Sequence, residues 1–327
     1  MYMTSAFPFS IQSEKDFETI ALKLFKEQIQ YNSVYKEFCS YLNINEQKVQ
    51  TLKEIPFLPI EFFKTHQVKT KEFTPEMTFL SSGTTGQQQS RHYVKDLKVY
   101  EDSFIHTFEE AYGPIEDYVI LGLLPSYLER EGSSLIYMVD HFIKKSKFKE
   151  SGFYLDEIEQ LSKTLQKLDD TGHNILLIGV SFALLDLVEK KKFQLKHSIV
   201  METGGMKGRR KEMIRKELHA ILSKGFGMKN IHSEYGMTEL LSQAYSKGQS
   251  KFQCPAHMKI MIRDTEDPFC YLGLGSTGGI NVIDLANFDS CPFIATQDLG
   301  KQINATEFEI LGRFDQSDIR GCNLLVL

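Results

Sequence analysis

Phe79-Leu80-Ser81-Ser82-Gly83-Thr84-Thr85-Gly86 begins as a short apolar run and passes into four hydroxyl side chains and two glycines. Glycines let the backbone turn tightly and bring its N–H groups close to an anion, and Ser81, Ser82, Thr84 and Thr85 add hydroxyl donors. The stretch reads as a phosphate-holding loop. It is not a Walker loop, which carries Lys and then Ser or Thr after its second Gly. This one runs on through Gln87-Gln88-Gln89-Ser90 to Arg91, the nearest cation. Ser, Gly and Thr clusters between periodic segments are also ordinary turns, so the rest of the chain has to decide.

Three downstream segments bear on the choice. His232-Ser233-Glu234-Tyr235-Gly236-Met237-Thr238-Glu239 sets an aromatic, a hydroxyl and a carboxylate around a glycine, a set that could stack on a base, touch a phosphate and approach a metal. Thr296-Gln297-Asp298-Leu299-Gly300 places an acid just after the apolar run Pro292–Ala295, where a carboxylate at a strand end could bind a ribose diol. Ile310-Leu311-Gly312-Arg313-Phe314-Asp315-Gln316 follows another apolar run. Each alone is weak.

In this order, with the loop at 81–86, they resemble the adenylate-forming superfamily of acyl-CoA synthetases, adenylation domains and luciferases. The matching stretch runs from 79 to 321. The resemblance implies ATP and Mg2+. Ser81, Ser82, Gly83, Thr84, Thr85 and Gly86 would cradle the β- and γ-phosphates. Tyr235 and Gly236 would pack on adenine, Thr238 would lie near the α-phosphate, and Glu239 would hold magnesium. Asp298 would take the ribose hydroxyls, Arg313 the ribose or a phosphate, and Gly204 and Gly205 would let the chain pass close to adenine. Two plainer readings stand beside these: Glu239 as a helix N-terminal acid and Gly204-Gly205 as a helix cap.

A closer resemblance rests on Glu54–Lys64, on Leu124-Pro125-Ser126-Tyr127 and on Ser317-Asp318-Ile319-Arg320-Gly321-Cys322. These look like the LuxE-type acyl-protein synthetases and their relatives the phenylacetate-CoA ligases. That branch implies activation of a carboxylic acid, a fatty acid by analogy, as acyl-AMP, and transfer to Cys322 for delivery to an acyl reductase or acyl carrier. Arg320 lies two residues before Cys322, and a neighbouring cation favours the nucleophilic thiolate. With Leu324, Leu325 and Val326 following, Cys322 reads equally as part of a terminal strand. Adenylation is mainly a matter of positioning and charge relief, for which magnesium on Glu239, Thr238 and Arg91 are the expected groups. Tyr127, Ser181 and His232 are expected to line the acid pocket, His232 from the same loop as Tyr235, although His232 would serve equally as a structural imidazole.

Departures from the family pattern are also present. No lysine follows the loop glycines closely, Lys95 being the nearest, and Gln297 stands where Gly is common. The sequence ends at Leu327, whereas acyl-CoA synthetases carry a further C-terminal domain with the lysine that drives adenylation. That lysine domain is expected to be absent, the chain being either truncated or of a branch that does without it. Three readings follow: an acyl-protein synthetase acting through Cys322, an acyl-CoA synthetase using coenzyme A, and a non-catalytic nucleotide-binding partner of an acyl reductase.

Composition narrows the classes further. With 327 residues, 42% hydrophobic and 12% aromatic, the chain can bury a substantial core. A net charge of −5, with basic runs confined to Lys190–Lys192 and Lys207–Lys211, lacks the domain-wide basic face of a nucleic-acid binder. No apolar run reaches the roughly 18 to 20 residues of a membrane span, and the start lacks the pattern of a signal peptide. Cys39, Cys254, Cys270, Cys291 and Cys322 are odd in number and scattered. They suggest neither a disulfide framework nor a zinc site, even with His257 near Cys254, and the expected compartment is the cytoplasm.

Periodicity over 12–50 predicts two or three helices, with Phe17, Ile20, Ala21, Leu24 and Phe25 on one face. Tyr118–Pro125, Ile175–Val180 and Ser198–Thr203 read as buried strands. They alternate with helices from Lys95, over Ser133–Phe142 and Leu155–Leu168, from about Phe182, and over Arg209–Ser223. A short strand precedes Tyr235. This alternation predicts an α/β fold built on a mainly parallel sheet flanked by helices. Beyond 250 the texture shifts to short strands with Gly and Pro turns, a smaller β-rich subdomain. The expected organisation is one large domain over 1–315, comprising a helical lead-in 1–60, an α/β core 61–250 and a β-rich subdomain 251–315, with 316–327 as a tail after a hinge. Ligands of such sheets sit at the carboxyl ends of the strands, where Thr203-Gly204-Gly205, the Tyr235 loop and the Asp298 loop are expected.

Overall fold

Helix starts in the N-terminal third are set by side-chain caps. Ser13 accepts from the Asp16 N–H to start α1 (Glu14–Tyr31), and Asn32 accepts from the Tyr35 N–H to start α2 (Ser33–Tyr41). The computed structural model describes residues 7–82, 88–124, 132–155, 157–204, 210 and 213–314, with side chains from Phe9 onward. After the prolines come a two-residue strand β1 (Leu58–Pro59), a single helical turn α3 (Phe62–Thr65) and an antiparallel hairpin of β2 (Met77–Leu80) and β3 (Arg91–Val94).

Alternation then sets in. Helix α4 (Leu97–Tyr112) is capped by Asp96 and leads to β4 (Val119–Leu123), α5 (Ser134–Lys145), β5 (Gly152–Phe153) and α6 (Ile158–Asp170). There follow β6 (Ile175–Val180), α7 (Ser181–Lys190), β7 (Ser198–Thr203), α8 (Arg215–Phe226) and β8 (His232–Tyr235). The last part holds β9 (Ala244–Ser246), β10 (Phe252–Gln253), β11 (Met258–Arg263), β12 (Thr277–Asp284), β13 (Phe293–Gln302) and β14 (Glu307–Arg313).

Apart from the hairpin, the described strands join one sheet in the order β11-β12-β13-β14-β10-β9-β8-β7-β6-β4-β5, with β1 added in parallel beside β13. Strands β5, β4, β6, β7 and β8 run parallel, and the ladder turns antiparallel from β8 to β9 onward. The sequence explains the difference. β4 and β6 are buried at every position, as parallel strands covered on both faces must be, whereas β11 alternates buried and half-buried.

Two apolar cores follow the same division. One packs α4 to α8 against the parallel strands. The other packs α1, α2 and β1 against β11 to β14, with Phe293 within ring contact of Phe25, Tyr35 and Phe57. Polar bonds reinforce the second core. Asn32 donates to the Ser290 carbonyl at 3.0 Å, across 258 residues of sequence, and Gln28 donates to the Phe288 carbonyl at 2.9 Å.

Three sequence expectations are corrected. The helix expected from Arg209 begins at Arg215, because Met213 and Ile214 are not helical. Asp298 lies inside β13 rather than in a loop after a strand, since the apolar run at Pro292–Ala295 is only the first half of a 10-residue strand. His232 opens β8 and is not part of a loop. Among the described residues, no helix is long and apolar enough to cross a membrane. The tail 316–327 lies outside them.

Candidate functional site

The hairpin β2–β3 holds the two ends of the hydroxyl-rich loop. Ser90 donates its N–H to Ser81 Oγ at 2.9 Å, Gln89 donates to the Ser81 carbonyl at 2.7 Å, and Gln88 donates to the Lys64 carbonyl at 2.6 Å. Ser82 is exposed, and Arg91 is exposed at the start of β3, opposite Leu80. Gly83, Thr84, Thr85 and Gly86 lie outside the described residues. The Leu80 N–H also donates to the Gly132 carbonyl at 2.7 Å, which brings the Gly132-Ser133-Ser134 turn beside the hairpin.

Two contacts tie this hairpin to the turn after β8. The Glu239 carboxyl is buried beside Ser90; burial raises it above the ordinary carboxylate range, with Ser90, Arg313 and Lys64 pulling the other way. His92, on β3, is buried between Thr238 and Asn287. Its Nδ1 is 2.7 Å from the Thr238 carbonyl and its Nε2 is 2.9 Å from Asn287 Oδ1. Asn287 in turn donates to the carbonyls of Glu239 at 2.8 Å and Cys291 at 3.1 Å. Burial pushes the imidazole down to about 4 despite these partners, so it is neutral near neutral pH and donates through one nitrogen. Sequence reasoning gave His92 no role. A lone histidine after a polar run carries no pattern that announces this bridge.

A second cluster joins Tyr235, Asp298 and Arg313. Tyr235 donates its phenol to Asp298 Oδ2 at 2.9 Å, and Arg313 Nε lies 3.4 Å from Oδ1. The pairing of β13 with β14 sets Asp298 opposite Arg313. Burial raises the Asp298 carboxyl, chiefly against the pull of Arg313. The Tyr235 ring packs on Phe252 and Phe308, with centroids 6.1 and 5.7 Å away, while the Arg313 side chain is 70% exposed.

A third group sits where β6, β7 and β8 end. Ser181 donates to the Gly204 carbonyl at 2.8 Å, and Gly204 turns with φ +65°, a left-handed value that favours glycine. Thr203 donates to Glu234 Oε2 at 2.6 Å. Beneath them the buried Glu202 takes Arg215 Nε at 2.9 Å and lies 3.4 Å from His219 Nε2. Burial opposes its ionisation, but the His219 hydrogen bond and the Arg215 charge outweigh it and hold the carboxyl below the usual range. Arg215 also donates to the Ile310 carbonyl at 3.3 Å, which fastens α8 to β14.

His232 stands apart from these groups. Three residues before Tyr235 in a strand, it faces the opposite side of the sheet, where its Nδ1 meets the Tyr112 hydroxyl at 3.1 Å and burial pushes it down to about 4. Tyr127, Gly205 and Cys322 lie outside the described residues. Among the described residues there is no group of three or more His, Cys, Asp or Glu that could hold a metal ion. Magnesium asks less, taking one or two carboxylates together with waters and phosphate oxygens, and Glu239 beside the β2–β3 hairpin fits that donor set.

The fold has counterparts among solved structures. The chain superposes on an open conformation of 2-hydroxyisobutyryl-CoA ligase in complex with 2-HIB-AMP and CoA. The TM-score is 0.70 at 12% identity, covering 95% of this chain and 76% of that one. The same ligase in its thioesterification state gives a TM-score of 0.67 at 12% identity, over 93% and 70% of the two chains. ATP-bound MatB from Rhodopseudomonas palustris gives 0.53 at 15% identity, over 74% of this chain and 49% of its own, so the chain spans about half the length of MatB. No protein-family model and no curated protein matches the sequence. At these identities the likeness speaks for the fold: a large, partly parallel sheet flanked by helices, the fold of the adenylate-forming enzymes.

Proposed function

We propose that this chain is an ATP-dependent, AMP-forming acid–thiol ligase whose large domain spans 1–315. One observation carries the reading. The His92–Thr238 contact locks the hydroxyl-rich hairpin against the Thr-Glu turn, with Ser90 of the hairpin near enough to Glu239 to pull its carboxyl down. The Tyr235–Asp298–Arg313 cluster starts three residues before Thr238, at the end of β8. A nucleotide laid across this region would meet hydroxyls for its phosphates, a carboxylate for magnesium and a second carboxylate for its ribose. Superposition on ligases crystallised with ATP or with an acyl-AMP supports the same reading.

In the first half-reaction a carboxylate oxygen of the acid attacks the α-phosphorus of ATP. The bond from that phosphorus to the bridging oxygen breaks, and pyrophosphate leaves. The carboxylate is already a nucleophile, so no general base is required and the barrier is chiefly charge repulsion. Magnesium supplies charge neutralisation when bound. Glu239 would hold it, Thr238 and Arg91 would face the phosphates, and Asp298 with Arg313 would orient the ribose. In the second half-reaction a thiolate attacks the acyl carbon and AMP leaves with the bonding pair. The thiol is Cys322 or coenzyme A. The first follows from the acyl-protein synthetase resemblance, and the second gains weight from CoA in the complexes of the hydroxyisobutyryl ligase.

ATP–pyrophosphate exchange over a panel of fatty, aromatic and short polar acids tests the reading. Exchange stimulated by at least one acid upholds it, whereas ATP binding without exchange on any acid would leave only a nucleotide-binding partner. Acid label retained on the protein and lost in Cys322→Ser assigns the acceptor to Cys322. A CoA thioester that survives Cys322→Ser assigns it to coenzyme A.

A further inference from the structure

Strand β8 presents its two faces to different surroundings. Tyr235 points to Phe252, Phe308 and Asp298, and the alternation of a strand sends Glu234 to the other face. There the antiparallel neighbour β9 sets Tyr245 directly opposite Glu234, with Gln243 two residues before it on the same side. Gly236 leaves the space between them open. A β-carbon at Gly236 would collide with Glu234 Oε1 and stand 3.4 Å from Gln243 Cγ, so the carboxyl and the amide flank one glycine. Gly236 itself is exposed, at the strand end where the Thr238–Glu239 turn begins.

Glu234 is held by Thr203, but the other two polar groups are not satisfied by their surroundings. Among the described residues, Gln243 Oε1 and the Tyr245 hydroxyl are buried without a hydrogen-bond partner. Phe108 and Tyr112 pack against the Tyr245 ring. Orphaned buried polar atoms are rare because each forfeits its hydration. Two on neighbouring positions, beside a carboxyl that burial pushes up to about 7, are costly to keep unless something binds there.

We propose that Glu234, Gln243 and Tyr245 form the distal wall of the acid pocket, and that the acid carries a hydrogen-bond donor, a hydroxyl or an ammonium, in place of a plain alkyl chain. This rests on the acid-activating reading above. An acid joined to AMP at the phosphate near Thr238 would have the nucleotide on the Tyr235 and Asp298 face of the strand end and could extend its own substituents toward the Glu234 face. The Gln243 Oε1 atom can only accept, and so can an ionised Glu234; the Tyr245 hydroxyl can also accept. A fatty chain would leave Gln243 Oε1 and the Tyr245 hydroxyl unpaired, and Glu234 with Thr203 as its one hydrogen-bond partner among the described residues.

The experiment is ATP–pyrophosphate exchange on the full chain with propanoate, lactate, alanine and β-alanine, extended to longer alkyl, hydroxy and amino acids matched in length. A donor-bearing acid should exceed its alkyl match by at least about tenfold in kcat/KM, since a site built to hydrogen-bond a group rejects analogues without it. Gln243→Leu should erase most of that preference by raising KM for the acid while KM for ATP holds. Gln243→Met, with circular dichroism on both variants, guards against misfolding. Glu234→Gln separates the two donors: an ammonium substrate loses its advantage, whereas a hydroxyl substrate keeps it. Exchange driven equally well or better by alkyl acids would overturn this proposal while leaving the ligase reading intact, as would a preference that survives both Gln243 variants. Absence of exchange with every acid overturns both.

Discussion

Glu239 and Glu234 are both buried carboxyls raised by burial, and replacing each by its amide isostere should have a different consequence. Glu239→Gln removes a group that costs free energy to ionise in place, so thermal unfolding should show no loss of stability. The magnesium concentration for half-maximal exchange should rise by at least about tenfold, given that even indirect partners of a metal ligand change affinity by 10–100-fold. Glu234 is read through pH. Its folded value of about 7 lies above the ordinary 4.5, so the folded state holds the proton more tightly. Its contribution is fully present below about 4.5 and is lost as pH rises through 7. Glu234→Gln abolishes that loss. The stability of the variant relative to the parent should therefore climb between pH 4.5 and 7, by on the order of 3 kcal/mol at about 1.4 kcal/mol per unit. Urea titrations across that range measure it, and a flat difference would refute the assignment.

At the scale of elements, the site depends on how strand β3 grips the turn after β8. The amide of an asparagine can place a nitrogen near the position of histidine Nδ1, and that of a glutamine near Nε2. His92→Asn should therefore keep the bond to the Thr238 carbonyl and most of kcat in exchange, while His92→Gln, which keeps only the Asn287 side, should lose about tenfold or more. Equal losses in the two variants would mean that the histidine merely fills space. Gly236→Ala should cost about 1–3 kcal/mol through its collision with Glu234, and the combination with Glu234→Ala should recover much of it. Elements of this kind differ in how far the sequence betrays them. β4 and β6 were legible as unbroken apolar runs, and the motifs around Tyr235 and Asp298 as chemical sets in a fixed order. The His92–Asn287 bridge joins residues 195 apart, with no shared periodicity to signal it. Asp298 was misplaced because an apolar run ended where its strand did not. The start of α8 was misplaced because Arg209–Arg215 is rich in residues a helix tolerates, while Met213 is not helical and Ile214 stays extended before it.

For the whole molecule, the decisive feature is that the first helices complete the core of the last strands. Phe293 is fully buried against Phe25, Tyr35 and Phe57, so Phe293→Ala should lower stability by about 3–5 kcal/mol. If the contact is as intimate as the rings indicate, amide exchange should quicken in α1 and α2 together with β13. Protection lost in β13 alone would show that the two ends hold independently. No local pattern could have announced this pairing, since each partner reads by itself as an amphipathic helix or an ordinary strand. The order of synthesis gives it a further consequence. The apolar face of α1, with Phe17, Leu24 and Phe25, leaves the ribosome long before Phe293 and Ile294 exist to cover it. At about 5–20 residues per second that interval lasts for tens of seconds. Throughout it the nascent chain must keep a sticky surface soluble, either by transient collapse or by chaperone holding, and its yield in a cell should depend on chaperone supply more than its finished stability suggests.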